Sequence, residues 1–523
     1  MSKFRALLLV TTLIPLAACG ATDVASPGEG VIVVPAPGPP APPPPPPPPG
    51  PTDPALACPS VAGHSLIDRG VVGSKRVCEL PSRFTSNTTL TSVNGVAYQI
   101  AGPVNVGTDC GGDTAAPLAG CQSVELTIQP GALLVGEGTT SYLAVNRGSR
   151  LLAQGNAANP IIFTAKANLT SVTETSQGLW GGVILLGRAP ISDCNTAVPG
   201  GSAGCQQVIE GTTNSLYGGA SPNDNSGVLQ YIQIRYSGVA IAPGNELQGL
   251  TMGGVGQLTT VDHIQIHNSS DDGIEIFGGR VNLKHIVVTG ADDDALDTDL
   301  GYRGTVQFLL AVQRDASNGD SMIEADSNGN EDALPRQYTR VSNATFVQRS
   351  TVQGLNTMLI RGGADYALLN SVVTGGTNCL DIDATGGTTT RPADAALQDL
   401  GPPVFRSVVM ACTNPFRDDG NLADTANAFG TGTNNNNSAY TPTLASVFVN
   451  GANETGVAAT DPTTFNADSF AGTGQPNAAA PNRLTAVTYI GAVQNAADSW
   501  YQGWTCTVAW ATIGGGSRAC TAL

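Results

Sequence analysis

Short apolar strand cores recur along the middle of the chain. Seven of them begin at positions 229, 261, 283, 306, 341, 367 and 404, so successive starts lie 32, 22, 23, 35, 26 and 37 residues apart. Each core alternates apolar and polar residues, and Gly, Asn or Asp stand at the turns. A base period of about 22–26 residues with insertions indicates coils that contact only their neighbours. The sequence therefore predicts an all-β solenoid.

The composition agrees with this fold class and excludes one class of partner. Gly accounts for 64 of the 523 residues, and charged residues make up only 12%. The chain has 24 Lys and Arg against 41 Asp and Glu, a net charge of −17. Binding to nucleic acid or to anionic lipid needs basic patches. We therefore expect no nucleic-acid partner.

Several motifs resemble those of a known superfamily. They are "LLAQGNAANPIIFTA" with "LWGGVILLG", "GVLQYIQIRYSGVAI" and "DDGIEIFGG". This set resembles the right-handed parallel β-helix superfamily, which includes pectate lyases. More narrowly, "WGG", the segment Asp292–Phe308 and the closing segment Tyr489–Thr505 look like those of bacterial cell-surface β-helix proteins of mostly unassigned function. The resemblance covers about residues 85–510 and implies a right-handed parallel β-helix and a surface location. It implies no catalytic residue.

Four regions follow from these patterns. We predict a signal peptide at 1–18, a lipid anchor and Pro-rich linker at 19–57, a parallel β-helix at 58–445 and a small C-terminal cap at 446–523. The last region holds clustered aromatic residues, namely Trp500, Tyr501, Trp504 and Trp510. Such residues cap the open end of a solenoid, as terminal repeats must, or stack on sugars.

The first twenty residues have the pattern of an export signal. Lys3 and Arg5 precede the apolar run Leu7–Leu16, which is too short to span a bilayer. The following "LAAC" resembles the lipobox of bacterial lipoproteins, which implies that Cys19 carries acyl chains such as palmitate. In that family, Gly20 in place of Asp favours the outer membrane. An ordinary secretory signal cut near the same place is the alternative.

The linker contains eight consecutive prolines, Pro42–Pro49. Such a run forms polyproline II, a semi-rigid structure that rises about 3 Å per residue. We predict that this linker is disordered, with no packed tertiary structure. We also expect it to hold the folded body away from the membrane. A docking site for a proline-reading domain is the alternative.

The cysteines indicate an oxidising compartment. Without Cys19, ten of the 11 cysteines remain, and they fall into close sequential pairs with no CxxC metal motif. Proximity in an exported chain predicts five disulfides. The predicted pairs are Cys58–Cys78, Cys110–Cys121, Cys194–Cys205, Cys379–Cys412 and Cys506–Cys520.

Acidic residues recur at one position of successive coils. When the coils are aligned on their apolar residues, a charged residue follows each inward residue and points outward. One predicted column reads Glu275, Asp297, Glu324, Arg361 and Asp381. A parallel column two residues later reads Phe277, Asp299, Asp326, Gly363 and Asp383. Stacked coils place such residues about 4.8 Å apart.

Stacked carboxylates repel each other by about 0.8 kcal/mol in water and by more near a protein surface. We therefore predict that Arg361 pairs with Glu324 or Asp381 and that the other acids of the two columns bind Ca²⁺. Turn acids could complete such sites, namely Asp271, Asp272, Asp292, Asp293 and Asp294. Alternatively, the turn acids bond to nearby backbone N–H groups, and the columns form a solvated face.

Two function classes remain open. The first is a non-enzymatic surface scaffold on the outer membrane that binds divalent cations and a glycan, an envelope polymer or a partner protein, and that is exported folded by type II secretion. The second is a polysaccharide hydrolase or lyase that uses Glu275, Asp297, Glu324 and Arg361. Candidate bases for a lyase are Arg361, Arg280, Lys284 and His285. His263 and His285 share one repeat position and are either ligands or ordinary surface histidines.

Overall fold

The repeated strand cores form the coils of a parallel β-helix in the computed structural model. The model describes residues 54–523 except 243, 316–318, 328, 351, 383–386, 471–477 and 516. Nearly all strand pairs in its two large sheets are parallel, and each strand pairs with its equivalents in the preceding and following coils. The predicted fold class is confirmed.

Two long sheets carry the coils. The strands of the first sheet are β1 (Ile67–Val72), β2 (Lys75–Glu79), β4 (Thr88–Leu90), β5 (Val96–Ile100), β7 (Glu125–Ile128), β8 (Leu133–Gly136), β10 (Arg150–Gln154), β11 (Ile161–Ala165), β15 (Gly227–Arg235), β19 (Thr260–His267), β21 (Asn282–Thr289), β23 (Thr305–Val312), β25 (Tyr338–Gln348), β27 (Asp365–Gly375) and β29 (Val404–Ala411). Those of the second are β3 (Arg83–Phe84), β6 (Pro103–Val106), β9 (Gly138–Val145), β12 (Trp180–Leu186), β18 (Leu250–Gly253), β20 (Ile274–Phe277), β22 (Leu296–Asp299), β24 (Ile323–Ala325), β26 (Asn356–Ile360), β28 (Asn378–Ile382) and β30 (Asn414–Phe416).

The remaining elements lie in insertions and in the C-terminal region. Two hairpins are formed by β13 (Gln207–Val208) with β14 (Leu216–Tyr217) and by β16 (Val239–Ala242) with β17 (Asn245–Leu247). The helices are α1 (Leu422–Phe429), α2 (Ala452–Thr455) and the 3₁₀ turns Lys166–Leu169, Ala395–Leu397 and Pro462–Asn466. In the described residues, no helix is long and apolar enough to cross a membrane.

The later strands of the first sheet bend at one shared position. In earlier coils β10 and β11 are separate strands, and β15 pairs with both of them. The bend residue of each longer strand has a positive φ near +50° to +60°, a left-handed conformation that is uncommon for residues other than Gly. The bend residues are Tyr231, His263, His285, Phe308, Asn343, Asn370 and Ser407. They form a column along one corner of the helix.

The C-terminal region lies along this corner. Its backbone carbonyls accept hydrogen bonds from side chains of several coils, for example Thr460 from Asn370 at 2.8 Å and Thr485 from Gln307 at 2.8 Å. The sequence predicts a cap for residues 446–523, and these contacts join the described part of this region to side chains of several coils. Helix α1 packs at the last coil, where Phe429 contacts the aromatic rings of β29 and β30.

An insertion between β12 and β15 covers the outer surface of the second sheet. It carries the first hairpin and the Cys194–Cys205 disulfide. Its side chains Ile191, Ile209 and Tyr217 pack in one buried cluster with outward residues of the sheet, among them Ile184 and Phe277. Because of this cover, the outward face of the second sheet is not simply a solvent face.

All five predicted disulfides are present. The structure links Cys58–Cys78, Cys110–Cys121, Cys194–Cys205, Cys379–Cys412 and Cys506–Cys520. The signal peptide, Cys19 and the prolines 42–49 lie outside the described residues, as does Asp383 of the predicted columns.

Candidate metal centre

Three predicted column residues stack as the repeat indicated. Glu275 in β20 pairs with Asp297 in β22, and Asp297 pairs with Glu324 in β24. Their neighbours Ile274 and Ile276 belong to the apolar core. Since side chains alternate along a strand, the three carboxylates project outward. This part of the alignment is confirmed.

The predicted position of Arg361 is wrong by two residues. Glu324 pairs with Leu359, and Leu359 pairs with Asp381, so Leu359 occupies the column position. The Arg361 N–H donates to the carbonyl of Ala325 at 2.8 Å, which places Arg361 beside Asp326. A two-residue slip keeps every side chain on its face, so the apolar alternation does not reveal it.

Arg361 still pairs with an acid that the sequence assigned to it. Its Nη2 lies 2.5 Å from Oε1 of Glu324, and its Nε lies 3.0 Å from Oδ2 of Asp326. Asp381 pairs instead with Arg417 at 3.3 Å and accepts a hydrogen bond from Asn356 at 2.8 Å. Arg361 therefore neutralises one end of the stack and leaves the other end without a cation.

The stack is largely buried, which differs from the expectation of a solvated face. Glu275 is 7% exposed, and the neighbouring turn residues Asp271 and Asp272 are 6% and 5% exposed. The hairpin loop of the insertion brings a further carboxylate, that of Glu210, into contact with Glu275. Repeat analysis missed Glu210 because it lies outside the repeats, and no sequence signal places it there.

Two groups of three acids come together at this face. The first is Asp272, Glu275 and Asp297, and the second is Asp271, Asp272 and Asp293. In each group, one oxygen of every residue lies within 4.8 Å of the others. Asp272 belongs to both groups. The predicted turn acids and strand acids therefore meet in two adjoining clusters of carboxylate oxygens, the ligand type that Ca²⁺ prefers.

Burial and mutual repulsion raise the pKa values of these carboxyls. Desolvation and then the charge of Asp293 raise the pKa of Asp271 to about 8. Desolvation and then Asp320 raise the pKa of Asp293 to about 6. The pKa values of Asp272, Glu275 and Asp297 rise well above their ordinary range, first by burial and then by neighbouring acids. Without a cation, this face must hold protons.

Two carboxyl–carboxyl contacts are places where such protons can be shared. Glu210 and Glu275 are hydrogen-bonded to each other, and Gln248 donates its amide N–H to Glu210. Asp294 and Glu324 form a second contact of this kind. Two carboxylates do not bond to each other unless one carries a proton. Among the described residues, Arg361 is the only basic side chain that forms an ion pair with an acid of the two clusters or with Asp299, Glu324 or Asp326.

Backbone N–H groups already donate hydrogen bonds to some carboxylate oxygens of the turn acids. Oδ1 of Asp272 accepts the N–H of Asp294 at 2.8 Å, and Oδ1 of Asp294 accepts the N–H of Ser321 at 2.7 Å. Asp292 pairs with Arg314 at 2.5 Å. The contacts of Asp272 and Asp294 fit the alternative in which turn acids bond to backbone groups, whereas that of Asp292 is a side-chain ion pair. By contrast, Oδ1 of Asp297 is buried and accepts no hydrogen bond from the described residues.

The second predicted column contributes less to the clusters. Oδ1 of Asp299 accepts the N–H of Leu300 at 2.6 Å, and burial raises the pKa of Asp299 to about 7. Oδ1 of Asp326 accepts the N–H of Ser327 at 2.7 Å. Gly363 also lies away from the predicted position, because Arg361 stands beside Asp326. The column is therefore held by backbone bonds and by Arg361.

The predicted basic candidates lie elsewhere. His263 and His285 sit at the bend of the first sheet, where both Nδ1 atoms approach Oδ1 of Asp262, at 2.9 and 2.8 Å. Their ring centroids lie 4.3 Å apart with the ring planes tilted by 31°, and the ring of Trp504 lies 5.5 Å from that of His263. Neither histidine is an ordinary surface residue. Trp504 is 1% exposed and is thus not open for stacking on a sugar.

The remaining basic candidates are engaged with the C-terminal region. Lys284 donates to Oγ1 of Thr485 at 3.0 Å, and Arg280 lies 3.4 Å from Asp468. Of the catalytic candidates, the structure brings Glu275, Asp297, Glu324 and Arg361 near one another, but the first is buried. The cluster of Asp262, His263 and His285 also has metal-binding spacing.

Comparisons with known proteins identify the fold. A family model described as a pectate-lyase like beta helix domain matches residues 114–505, which is more than half of the chain. No curated protein matches the sequence. No solved structure matches it.

Proposed function

This chain belongs to the family of pectate-lyase-like β-helix domains. We propose that it is a non-enzymatic scaffold whose acidic face binds Ca²⁺. One observation carries the proposal, namely the two adjoining carboxylate groups that share Asp272. Asp271, Asp272 and Glu275 are buried, Asp297 is partly buried and Asp293 is exposed. No ion pair among the described residues neutralises these five acids. A hard divalent cation coordinated by several carboxylate oxygens would remove their repulsion and replace the protons that they otherwise hold.

The buried oxygen of Asp297 supports the same site. A buried acceptor without a partner costs about 1–3 kcal/mol, and more when it is charged. Oδ1 of Asp297 is such an acceptor among the described residues. A cation held by Asp272, Glu275 and Asp297 would supply its missing partner. Ca²⁺ suits this site better than Mg²⁺ because it tolerates irregular geometry and many carboxylate ligands.

Calcium titration of the full chain by calorimetry tests this function. The decisive variant is Asp272→Asn, which keeps an Oδ1 acceptor for the Asp294 N–H but removes the charge shared by both groups. We expect its Ca²⁺ affinity to fall at least about tenfold, equivalent to about 1.4 kcal/mol. Asp113→Asn, at an exposed turn residue, is the matched control and keeps wild-type affinity. Equal affinities in both variants would refute the site.

We also propose that the scaffold is displayed on the outer membrane by a lipid on Cys19. The five disulfides support passage through an oxidising compartment, which agrees with export and with movement of a folded body by type II secretion. Its partner there would be a glycan, an envelope polymer or another surface protein. Palmitate labelling of the wild type and of Cys19→Ser tests the anchor. Labelling that survives the substitution would exclude Cys19 as the lipidated residue.

A further inference from the structure

Three buried arginines surround a single aspartate beneath the C-terminal region. Arg303 binds both oxygens of Asp468 through Nε at 2.7 Å and Nη2 at 2.6 Å. Arg280 reaches the same carboxylate at only 3.4 Å. Arg340 makes no ion pair with it and donates instead to the backbone carbonyls of Phe465 and Gly304. The three guanidinium groups therefore share one counter-charge.

Another buried arginine shows how the fold balances such a charge elsewhere. Arg336 pairs with Asp365 at 3.2 Å, with Asp399 at 3.2 Å and with Asp332 at 3.3 Å. Arg391 also pairs with Asp332 and Asp399, so two guanidinium groups have three acids between them. Of these acids, Asp365 also interacts electrostatically with Arg303, but its carboxylate is bound to Arg336. Its burial raises its pKa to about 7, so it supplies only part of a charge.

The crowding of positive charge shifts the pKa values of the groups involved. Burial and then the charge of Arg303 lower the pKa of Arg280 to about 10. Burial alone would raise the pKa of Asp468, but its bond to Arg303 and the other arginines lower it to about 2. The ring of Tyr338 lies 4.6 Å from the guanidinium carbon of Arg340 and 5.6 Å from that of Arg303. This cation–π contact offsets the surplus only in part.

A small cavity opens beside these arginines. Its volume is about 10 Å³, enough for one particle of the size of a water molecule. The residues that line it are four arginines, Arg280, Arg303, Arg340 and Arg483, together with Gln257, Asn282, Thr305, Asn466 and Ala480. Nε of Arg483 is buried and has no hydrogen-bond partner among the described residues. The lining therefore carries four positive charges and no acid.

We propose that this cavity binds one small inorganic anion of the size of chloride. The anion would accept hydrogen bonds from Arg280 and Arg483 and would offset the surplus charge that Asp468 leaves. It would join the coil that carries Arg280 to the C-terminal segment that carries Arg483. The site is separate from the acidic face, so it stands or falls independently of Ca²⁺ binding.

The first test is thermal unfolding of the full chain in sodium chloride and in sodium gluconate at equal ionic strength. Gluconate is too large for the cavity, so chloride alone should raise the unfolding midpoint. The rise should be about 2–3 °C when chloride is 100-fold above its Kd. Arg280→Gln should lose this chloride-specific rise, while Arg303 still holds Asp468. Arg150→Gln, at a half-exposed pair with Glu125, is the matched control and should keep it.

The second test locates the ion directly. Crystals of the wild type grown with bromide should show an anomalous peak in the cavity, and crystals of Arg280→Gln should not. A peak together with the chloride-specific rise supports the proposal. Absence of the peak, or equal midpoints in chloride and gluconate, overturns it and leaves only water in the cavity.

Discussion

The buried acids predict an unusual dependence of stability on pH when calcium is removed. A carboxyl whose pKa is higher in the folded state binds its proton more tightly there than in the unfolded chain. Its contribution to stability is complete below the unfolded pKa, near 3.8, and is lost as the pH rises through the folded pKa. For Asp271 the folded value is about 8. The free energy of unfolding should therefore fall between pH 4 and 8.

The window from pH 6.5 to 8 isolates this effect. Burial lowers the pKa values of His267 and His285, so both are neutral in the folded state above pH 6.5. In the unfolded chain they lose their remaining protons over this window, which offsets less than about 1 kcal/mol of the fall. In this window each acid that stays protonated costs about 1.4 kcal/mol per pH unit. Asp271 alone thus accounts for about 2 kcal/mol over 1.5 units. For a folded region of about 470 residues this corresponds to about 2 °C in Tm.

Urea unfolding at several pH values, with chelator and with excess Ca²⁺, measures the effect. With chelator, the free energy of unfolding should fall by at least about 2 kcal/mol from pH 6.5 to 8. With Ca²⁺ the fall should disappear, because the cation holds the carboxylates ionised. Asp271→Asn should remove about 2 kcal/mol of the fall, and Asp113→Asn should leave it unchanged. A free energy that is constant or rises in chelator would refute the reasoning.

Four further outcomes follow from the same contacts. Calcium binding at pH 7 should release protons, seen as a binding enthalpy that changes with the ionisation enthalpy of the buffer; an enthalpy independent of the buffer contradicts protonated acids. Asp297→Asn should raise Tm in chelator yet reduce stabilisation by Ca²⁺, whereas a purely structural aspartate would only lower Tm. Trp504→Ala should destabilise the protein by about 3–5 kcal/mol, measured by urea unfolding, because the ring is buried against the bend column. A panel of neutral and acidic polysaccharides should yield no new reducing ends or unsaturated products; any product blocked by Glu324→Gln would favour a hydrolase or lyase instead.

The repeat period and the apolar alternation were enough to predict the coils and the stacking of Glu275, Asp297 and Glu324. They were not enough to place Arg361, because a slip of two residues preserves the alternation. The disulfides were predictable because their cysteines are only 11 to 33 residues apart in sequence. The bend column was not, since Tyr231, His263 and Ser407 share a backbone conformation but no side-chain chemistry.

The segments that cover the coils could not be predicted from the sequence, for a different physical reason. Glu210 and Asp468 both lie in segments outside the repeat, so no period relates them to the residues that they contact. Each of these two residues nevertheless changes the net charge of the buried cluster that it contacts. Asp468 brings a negative charge to stacked arginines, which is the pairing that burial requires. Glu210 brings a further negative charge to stacked acids, which is the opposite.

That contrast bears on the calcium proposal. A coil position repeated every 22 residues or so places like charges about 4.8 Å apart, and each covering segment then either neutralises or adds to the charge. A covering segment that only stabilised the fold would place a basic or neutral side chain over Glu275. This one places Glu210 there and holds it with Gln248, whose carbonyl oxygen in turn accepts from Thr251 at 2.7 Å. Without an ion, this extra carboxylate shares a proton with Glu275, and in the proposed Ca²⁺ site it would add ligand oxygens beside the stack.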